Sequence, residues 1–131
     1  MTVLVACNAS PHGRAALEAG VAEASRRRLP LSVLVLNPGA EFPSELAGPL
    51  DNLPESVDAP TVTFRDEHTE PSDAILDLAD DIDATLIVLG VRKRSSQGTY
   101  VTGTTTQRIL LDASAPVLLI KAEYDQPDLD D

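Results

Sequence analysis

The chain reads LIVLGVRKRSSQGTYVTGTTT from residue 86 to residue 106, and this stretch decides the predicted fold. Leu86 to Leu89 is an unbroken apolar run that ends at Gly90, which is typical of a buried parallel strand. A basic, glycine-containing loop is expected over residues 91–98, and Gly103 then opens a short helix rich in threonine. Because a helix N-terminus offers free backbone N–H groups and the positive end of a dipole, this arrangement indicates a site for an anion, most often a phosphate.

The rest of the chain alternates apolar runs with helical patterns. Ser10 and Pro11 are typical of an N-cap and a first helical turn, and Leu17, Val21 and Ala24 then recur at helical spacing. The proline-rich segment 37–60 allows only a short helix over about residues 44–50. The predicted strands cover residues 2–6, 31–36, 61–65, 85–89 and 117–120, and the longer predicted helices cover residues 11–28, 72–82 and 104–113.

Strands that alternate with helices predict an α/β fold with a parallel sheet. Right-handed crossovers place the helices on both faces of that sheet. We therefore expect a single domain over residues 1–131, with a five-stranded, Rossmann-like parallel sheet and an acidic tail over about residues 122–131. The third strand alternates polar with apolar residues and is expected near an edge.

Composition excludes several classes of protein. The 131 residues carry 21 acidic and 10 basic side chains, a net charge of −11, which disfavours binding to nucleic acid or acidic membranes. No apolar run approaches the roughly 20 residues that a membrane span needs, and the N-terminus is interpreted as a first strand rather than a signal peptide. Cys7 is the single cysteine, so no intrachain disulfide can form, which suits a reducing cytoplasm.

The acidic balance has two interpretations. Abundant aspartate with only two lysines, Lys93 and Lys121, is the pattern of proteins that stay soluble in high salt, and it suggests a salt-loving source. The alternative is an acidic protein from an ordinary environment. If the stability of the protein falls when molar salt is removed, the salt-loving source is supported. Stability that does not depend on salt would support the ordinary acidic protein.

The expected site lies beyond the carboxyl ends of the strands, where ligands bind in parallel sheets. The loop at residues 7–11 and the loop at residues 90–103 are predicted to meet there. Thr104 and Gln107 have the spacing of a capping box. The alternative is an ordinary strand–loop–helix connection in which Arg92, Lys93 and Arg94 form a solvated basic face.

The same stretch resembles the nucleotide loop of the universal stress protein family. ATP-binding members of that family carry a glycine, two residues, a glycine, nine residues, and then a glycine with serine or threonine. Gly90 matches the first glycine and Gly103 with Thr104 matches the final pair, whereas Lys93 stands at the second glycine. The resemblance covers nearly the whole chain, including residues 3–6, 14–17, 73–76, 84–90, 107–110 and 115–120.

The resemblance implies an adenine nucleotide alpha hydrolase-like fold and a site for ATP, with any Mg²⁺ held mostly by water and phosphate. The family's first and second strands frame the adenine, and a residue after the first strand, Asp in the family and Asn here, contacts the nucleoside. The glycine loop holds the ribose and phosphates. Carried over by position, the nucleotide-binding residues are Ala6, Cys7, Asn8, Leu36, Gly90, Arg92, Lys93, Gly103, Thr104 and Thr105. The fifth strand resembles the strand through which family members form dimers, so a homodimer is expected.

Three functions compete on this basis. The first is a cytoplasmic stress-response module that binds ATP as a dimer. The second is a docking protein of the same fold that does not bind nucleotide, for example a partner of a membrane transporter. Lys93 and Asn8 favour the second, and the retained glycines Gly90 and Gly103 oppose it. The third is an enzyme, which we do not expect beyond slow ATP hydrolysis, because no general base or acidic metal motif is evident at the loop.

Other chemistry-bearing side chains have simpler interpretations. Cys7 at a strand end is expected to pack in the core rather than act as a nucleophile. His12, in the first turn of the first helix, is expected to face solvent. His68 follows two acidic residues on a loop, where consecutive residues make poor metal ligands, so no metal site is predicted.

Overall fold

The structure is a computed structural model, and it describes residues 1–39, 41–94, 99–101 and 103–122. The acidic tail predicted from about residue 122 lies almost entirely outside the described residues. A 3₁₀ turn over Ser44–Leu46 leads into the second α-helix. The elements are β1 (Thr2–Cys7), α1 (Pro11–Arg27), β2 (Leu31–Val35), α2 (Ala47–Asp51), β3 (Thr61–Phe64), α3 (Pro71–Asp81), β4 (Ala84–Arg94), β5 (Thr99–Val101), α4 (Thr104–Asp112) and β6 (Val117–Lys121).

The predicted parallel sheet is confirmed, with β3 at one edge as expected. Neighbouring strands follow the order β3–β2–β1–β4, and β6 pairs in parallel with β4. In this register Ala6 of β1 lies between Leu34 of β2 and Leu89 of β4. The carboxyl ends of the central strands therefore reach the same edge of the sheet, on either side of the reversal in strand order.

The prediction of a loop over residues 91–98 is wrong in part. β4 does not stop at Leu89 but continues to Arg94, and β5 returns antiparallel beside it, with Arg92 paired to Val101 and Arg94 to Thr99. Residues 95–98 lie outside the described part of the chain. The basic segment is thus one arm of a β-hairpin that extends beyond the parallel sheet, and the strand that the sequence placed fifth is the sixth.

Alternation along β1 divides the core into two layers. Val3, Val5 and Cys7 pack with α1 on one face of the sheet, and Leu4 and Ala6 pack with α3 and α4 on the other. Val3, Leu4 and Val5 are completely buried. None of the described helices is long and apolar enough to cross a membrane.

Helix α1 lies unusually close to the sheet because glycine faces β1. A Cβ atom added at Gly20 would lie 1.9 Å from Cγ2 of Val5, so only a residue without a side chain fits the contact. The helix begins as the sequence predicts, since Ser10 is its N-cap and accepts a hydrogen bond from the Gly13 N–H. Arg28 ends it in a left-handed conformation, with φ of 57°.

The substitution Gly20→Ala is expected to destabilise the protein by about 1–3 kcal/mol, because the new methyl group pushes α1 away from β1. Urea unfolding measures this change. Gly48→Ala is the matched control, since its Cβ would meet only the flexible end of Arg14, 2.8 Å away, and a helical alanine is favoured over glycine. Equal stability of Gly20→Ala and the native chain would show that the close helix–sheet contact is not required.

Candidate functional site

The carboxyl ends of the first four strands surround a cleft of about 390 Å³. Its walls come from β1, β2 and β4 and from the segments that lead into α1, α3 and α4. The lining residues are Ala6, Cys7, Asn8, His12, Gly13, Leu36, Asn37, Pro38, Arg65, Pro71, Ile75, Leu89, Gly90, Thr105 and Thr106.

The cleft brings together most of the residues that the sequence nominated for nucleotide binding. Six of them line it, namely Ala6, Cys7, Asn8, Leu36, Gly90 and Thr105. Gly103 and Thr104 are exposed at the start of α4, and Arg92 is exposed on β4 beyond the sheet. The backbone of Lys93 belongs to β4, and its side chain lies outside the described part of the chain.

The corner between β1 and α1 is held by a small hydrogen-bond network. The Ser10 hydroxyl donates to Oδ1 of Asn8, accepts from the Gly13 N–H at 3.0 Å, and lies 3.1 Å from Nδ1 of His12. This network holds the turn from β1 into α1, and the Ser10 N–H also donates to the Asn8 carbonyl at 2.9 Å.

Gly90 lets β4 approach this corner. A Cβ atom at Gly90 would lie 2.1 Å from the carbonyl oxygen of His12, a distance that no side chain tolerates. The glycine at the end of the predicted apolar run is therefore required by the packing of β4 against α1.

His12 corrects an expectation from the sequence. It is half-buried and lines the cleft, whereas a position facing solvent was expected. Burial, followed by the nearby charge of Arg92, lowers the pKa of His12 below its usual range. No local sequence pattern could predict the position of His12 or its lowered pKa, because Arg92 is distant in the sequence and comes near His12 only when β4 pairs in the folded sheet.

The opposite wall is built by Arg65, which the sequence analysis also missed. Its Nε donates to the Leu36 carbonyl at 2.8 Å and its Nη1 donates to the Thr69 carbonyl at 2.7 Å. The Leu36 N–H in turn donates to the Cys7 carbonyl at 2.8 Å, and the Ala9 N–H donates to Oδ1 of Asn37 at 2.9 Å. The ends of β1, β2 and β3 are thus fastened to one another around Leu36.

The start of α4 closes the cleft, but not through the predicted capping box. The N-cap is Gly103, with no side-chain cap, and Thr104 is already the first helical residue. A Cβ atom at Gly103 would meet nothing within 4 Å, so the protein's own packing does not require this glycine. Arg108 fixes the helix to α3, donating to the Ser72 hydroxyl at 2.9 Å and pairing with Asp73 at 2.7 Å.

The described lining residues include no aspartate or glutamate. Among the described residues, no group of three or more His, Cys, Asp or Glu side chains is arranged to hold a metal ion. Cys7 is buried, and this burial raises the pKa of its thiol to about 12. The cleft therefore combines apolar walls, backbone polar groups and the guanidinium of Arg65.

Comparison with known proteins agrees with this architecture. The sequence model of the universal stress protein family matches residues 1–121. A curated universal stress protein of Mycolicibacterium smegmatis is 32% identical over 125 residues, covering 91% of this chain and 96% of the relative. A universal stress protein structure from Archaeoglobus fulgidus superposes with a TM-score of 0.72 at 28% identity, covering 92% of this chain and 98% of the other.

A second structure from Archaeoglobus fulgidus was solved in complex with dAMP. It superposes with a TM-score of 0.68 at 25% identity, again covering 92% of this chain and 98% of the other.

The buried thiol of Cys7 is expected to resist alkylation in the folded protein. With its pKa raised from 9.0 to about 12, the thiolate fraction near neutral pH falls by about a thousandfold. Iodoacetamide labelling followed by mass spectrometry at pH 8 measures this directly. The same chain in urea is the control and should react like a free thiol, whereas rapid labelling of the folded chain would contradict the buried position.

Proposed function

This chain belongs to the universal stress protein family, and from that premise we propose that it binds an adenine nucleotide, ATP in the first instance, in the cleft at the carboxyl ends of the strands. The observation that carries the proposal is the cleft itself. It gathers six of the ten residues predicted from the sequence and the family resemblance, and its volume of about 390 Å³ lies within the usual range for small-molecule sites. The dAMP complex of the Archaeoglobus fulgidus protein supports the choice of ligand class.

We assign the apolar part of the cleft to the adenine. Ala6 and Leu36 end adjacent strands there, and Ile75 of α3 is fully buried behind them. A purine presents flat apolar faces and polar edges, so apolar walls with backbone polar groups at their ends suit it. The fixed guanidinium of Arg65 adds a planar cation at this wall, and such a group stacks readily on aromatic rings.

The other end of the cleft suits the ribose and phosphates. Asn8 lies next to the base region, and its amide can donate to or accept from ribose hydroxyls. Gly90 lines the cleft from β4, and Thr105 lines it from the first turn of α4. Gly103, Thr104 and Arg92 lie beyond the cleft, which suits the terminal phosphates of a long ligand.

We propose binding without efficient turnover. The described lining residues offer no carboxylate to activate water, and the Cys7 thiol stays protonated. Magnesium would accompany ATP through phosphate and water oxygens. Slow hydrolysis at most is expected, and release of phosphate measured against free ATP checks it.

We propose that the active form is a homodimer that pairs through β6. Among the described strands, β6 pairs only with β4, and its residues Leu118, Leu119 and Ile120 are partly exposed. The Ile87 N–H donates to the Pro116 carbonyl at 3.0 Å. In a pair of parallel strands, successive residues point their backbone N–H and C=O groups alternately toward and away from the neighbouring strand. The backbone groups of Leu118 and Ile120 therefore face β4, and those of Leu119 face outward.

The substitution Gly103→Val is expected to weaken ATP binding about tenfold or more. The new side chain has space within the protein, so the fold remains, but it covers the backbone N–H groups at the start of α4. Isothermal titration calorimetry with ATP and Mg²⁺, in low and in molar salt, measures the affinity. Ser114→Val adds the same side chain beyond the other end of α4 and should leave the affinity unchanged.

One result would overturn the nucleotide proposal, and another would overturn the placement of the phosphates at α4. A folded native chain that binds no ATP in either salt would favour the docking protein and direct the search to partner proteins. ATP binding that Gly103→Val leaves unchanged would place the nucleotide away from α4.

The substitution Leu119→Pro is expected to convert the dimer to a monomer, because it removes the outward N–H of the edge strand without removing a bond to β4. Leu119→Ala is the control, since it truncates the same side chain but keeps the N–H. Analytical ultracentrifugation distinguishes the two states. A native monomer, or a Leu119→Pro dimer, would contradict pairing through β6.

A further inference from the structure

We propose that His12 is a phosphate ligand of this cleft and that it takes up a proton at Nε2 when the nucleotide binds. The inference rests on the proposed function and adds to it a residue and a dependence on pH. His12 lies in the first turn of α1, lines the cleft and packs its carbonyl oxygen against Gly90, the cleft residue at the end of the apolar run of β4. It therefore lies at the end of the cleft assigned to the phosphates.

The hydrogen bonds around Ser10 determine which nitrogen of His12 carries the proton. The Ser10 hydroxyl has one proton, and it donates that proton to Oδ1 of Asn8, an atom that only accepts. The same hydroxyl oxygen accepts from the Gly13 N–H. Nδ1 of His12, 3.1 Å from that oxygen, must therefore be the donor in the contact. Neutral His12 thus has its proton on Nδ1 and a lone pair on Nε2.

A lone pair on Nε2 does not suit a phosphate. Two acceptors repel each other, so a phosphate oxygen at Nε2 requires a proton between them. No described residue hydrogen-bonds to Nε2, which leaves this nitrogen for a ligand. Once protonated, the imidazolium donates to the phosphate and also contributes a positive charge.

The surroundings keep His12 neutral until an anion arrives. Arg92 approaches from β4, Arg65 lines the same cleft from the end of β3, and Cys7 from β1 is a protonated thiol. Thr105 and Thr106 contribute uncharged hydroxyls from α4, and no carboxylate is present among the described lining residues. Burial and the Arg92 charge lower the pKa of His12 in the free protein. A bound phosphate offsets that charge and raises the pKa again.

The sign of the pH dependence follows by linkage. The bound form has the higher histidine pKa, so the complex holds more protons than the free protein between the two pKa values. The affinity for a phosphorylated ligand therefore rises as the pH falls through the bound-state pKa, by up to about tenfold per pH unit, and levels off below the free-state pKa.

The test is calorimetric titration of the native chain with ATP at pH 7, in buffers with different ionisation enthalpies, followed by affinities from pH 8 to pH 6. His12→Asn keeps an amide donor for the Ser10 hydroxyl and removes the titrating nitrogen. His68→Asn, the substitution of the other histidine at an exposed loop, is the matched control. Adenosine, which lacks phosphate, reports on the base and ribose alone.

The proposal expects net proton uptake with ATP in the native chain and in His68→Asn. His12→Asn should lose this uptake, and its ATP affinity should be about three- to tenfold lower at pH 6, with little difference at pH 8. Adenosine should show no rise in affinity on acidification in any variant.

Other outcomes overturn the inference. Equal proton uptake by ATP in the native chain and in His12→Asn would assign the proton to the nucleotide. Affinity that falls on acidification, with proton release, would mean that a ribose hydroxyl donates to neutral Nε2. Either result leaves the proposed function standing, whereas the absence of ATP binding at every pH removes both.

Discussion

The close contact of helix α1 with strands β1 and β4 is the constraint on which the rest of the structure depends. Gly20 faces Val5 in the middle of the helix, and Gly90 faces the first turn at His12. Added methyl groups at these positions would lie 1.9 Å and 2.1 Å from their neighbours. Because interiors pack at near-crystalline density, neither contact can accommodate a side chain without moving the helix.

This contact explains how the chain forms a cleft at the carboxyl ends of its strands. With α1 held against the sheet, the chain must turn within residues 8–10, and Asn8, Ser10 and His12 converge there through the Ser10 hydroxyl. β4 then continues past α1 and carries Arg92 beside the same corner. Much of the net charge of −11 lies elsewhere in the chain. Helix α3, for example, carries Asp77, Asp80 and Asp81. None of these carboxylates is among the described residues that line the cleft, and water and salt screen charges at a distance.

The fold could be predicted from the periodicity of apolar residues. Fully buried strands appear in the sequence as continuous apolar runs, and the first helix begins with a recognisable N-cap and proline. Leu86 to Leu89 predicted the central strand, and Ser10 with Pro11 predicted the start of α1. The β4–β5 hairpin was missed because residues 92–94 are all basic, and it is their pairing with β5 rather than their composition that makes them a strand. The capping box failed because Gly103, not Thr104, is the N-cap.

The site was predictable where one segment supplies it and unpredictable where the fold assembles it. Gly90 is the first position of the loop motif and Thr105 directly follows its last position, and both line the cleft. Arg65 and His12 reach it from distant segments, through hydrogen bonds and charge that no local pattern encodes. The orientation of a side chain at the end of a strand depends on the groups it hydrogen-bonds to. Those groups can be identified only from the tertiary structure.

The most direct test of the central claim is a titration of the isotopically labelled chain with ATP, followed by two-dimensional amide NMR. The account predicts that the largest shifts lie at the carboxyl ends of β1, β2 and β4 and at the first turn of α4, with Asn8, Leu36, Gly90 and Thr105 among them. The amides near Asp80 and Asp83, at the opposite edge of the sheet, should not change. Shifts centred on that opposite edge, or none at saturating ATP, would contradict it.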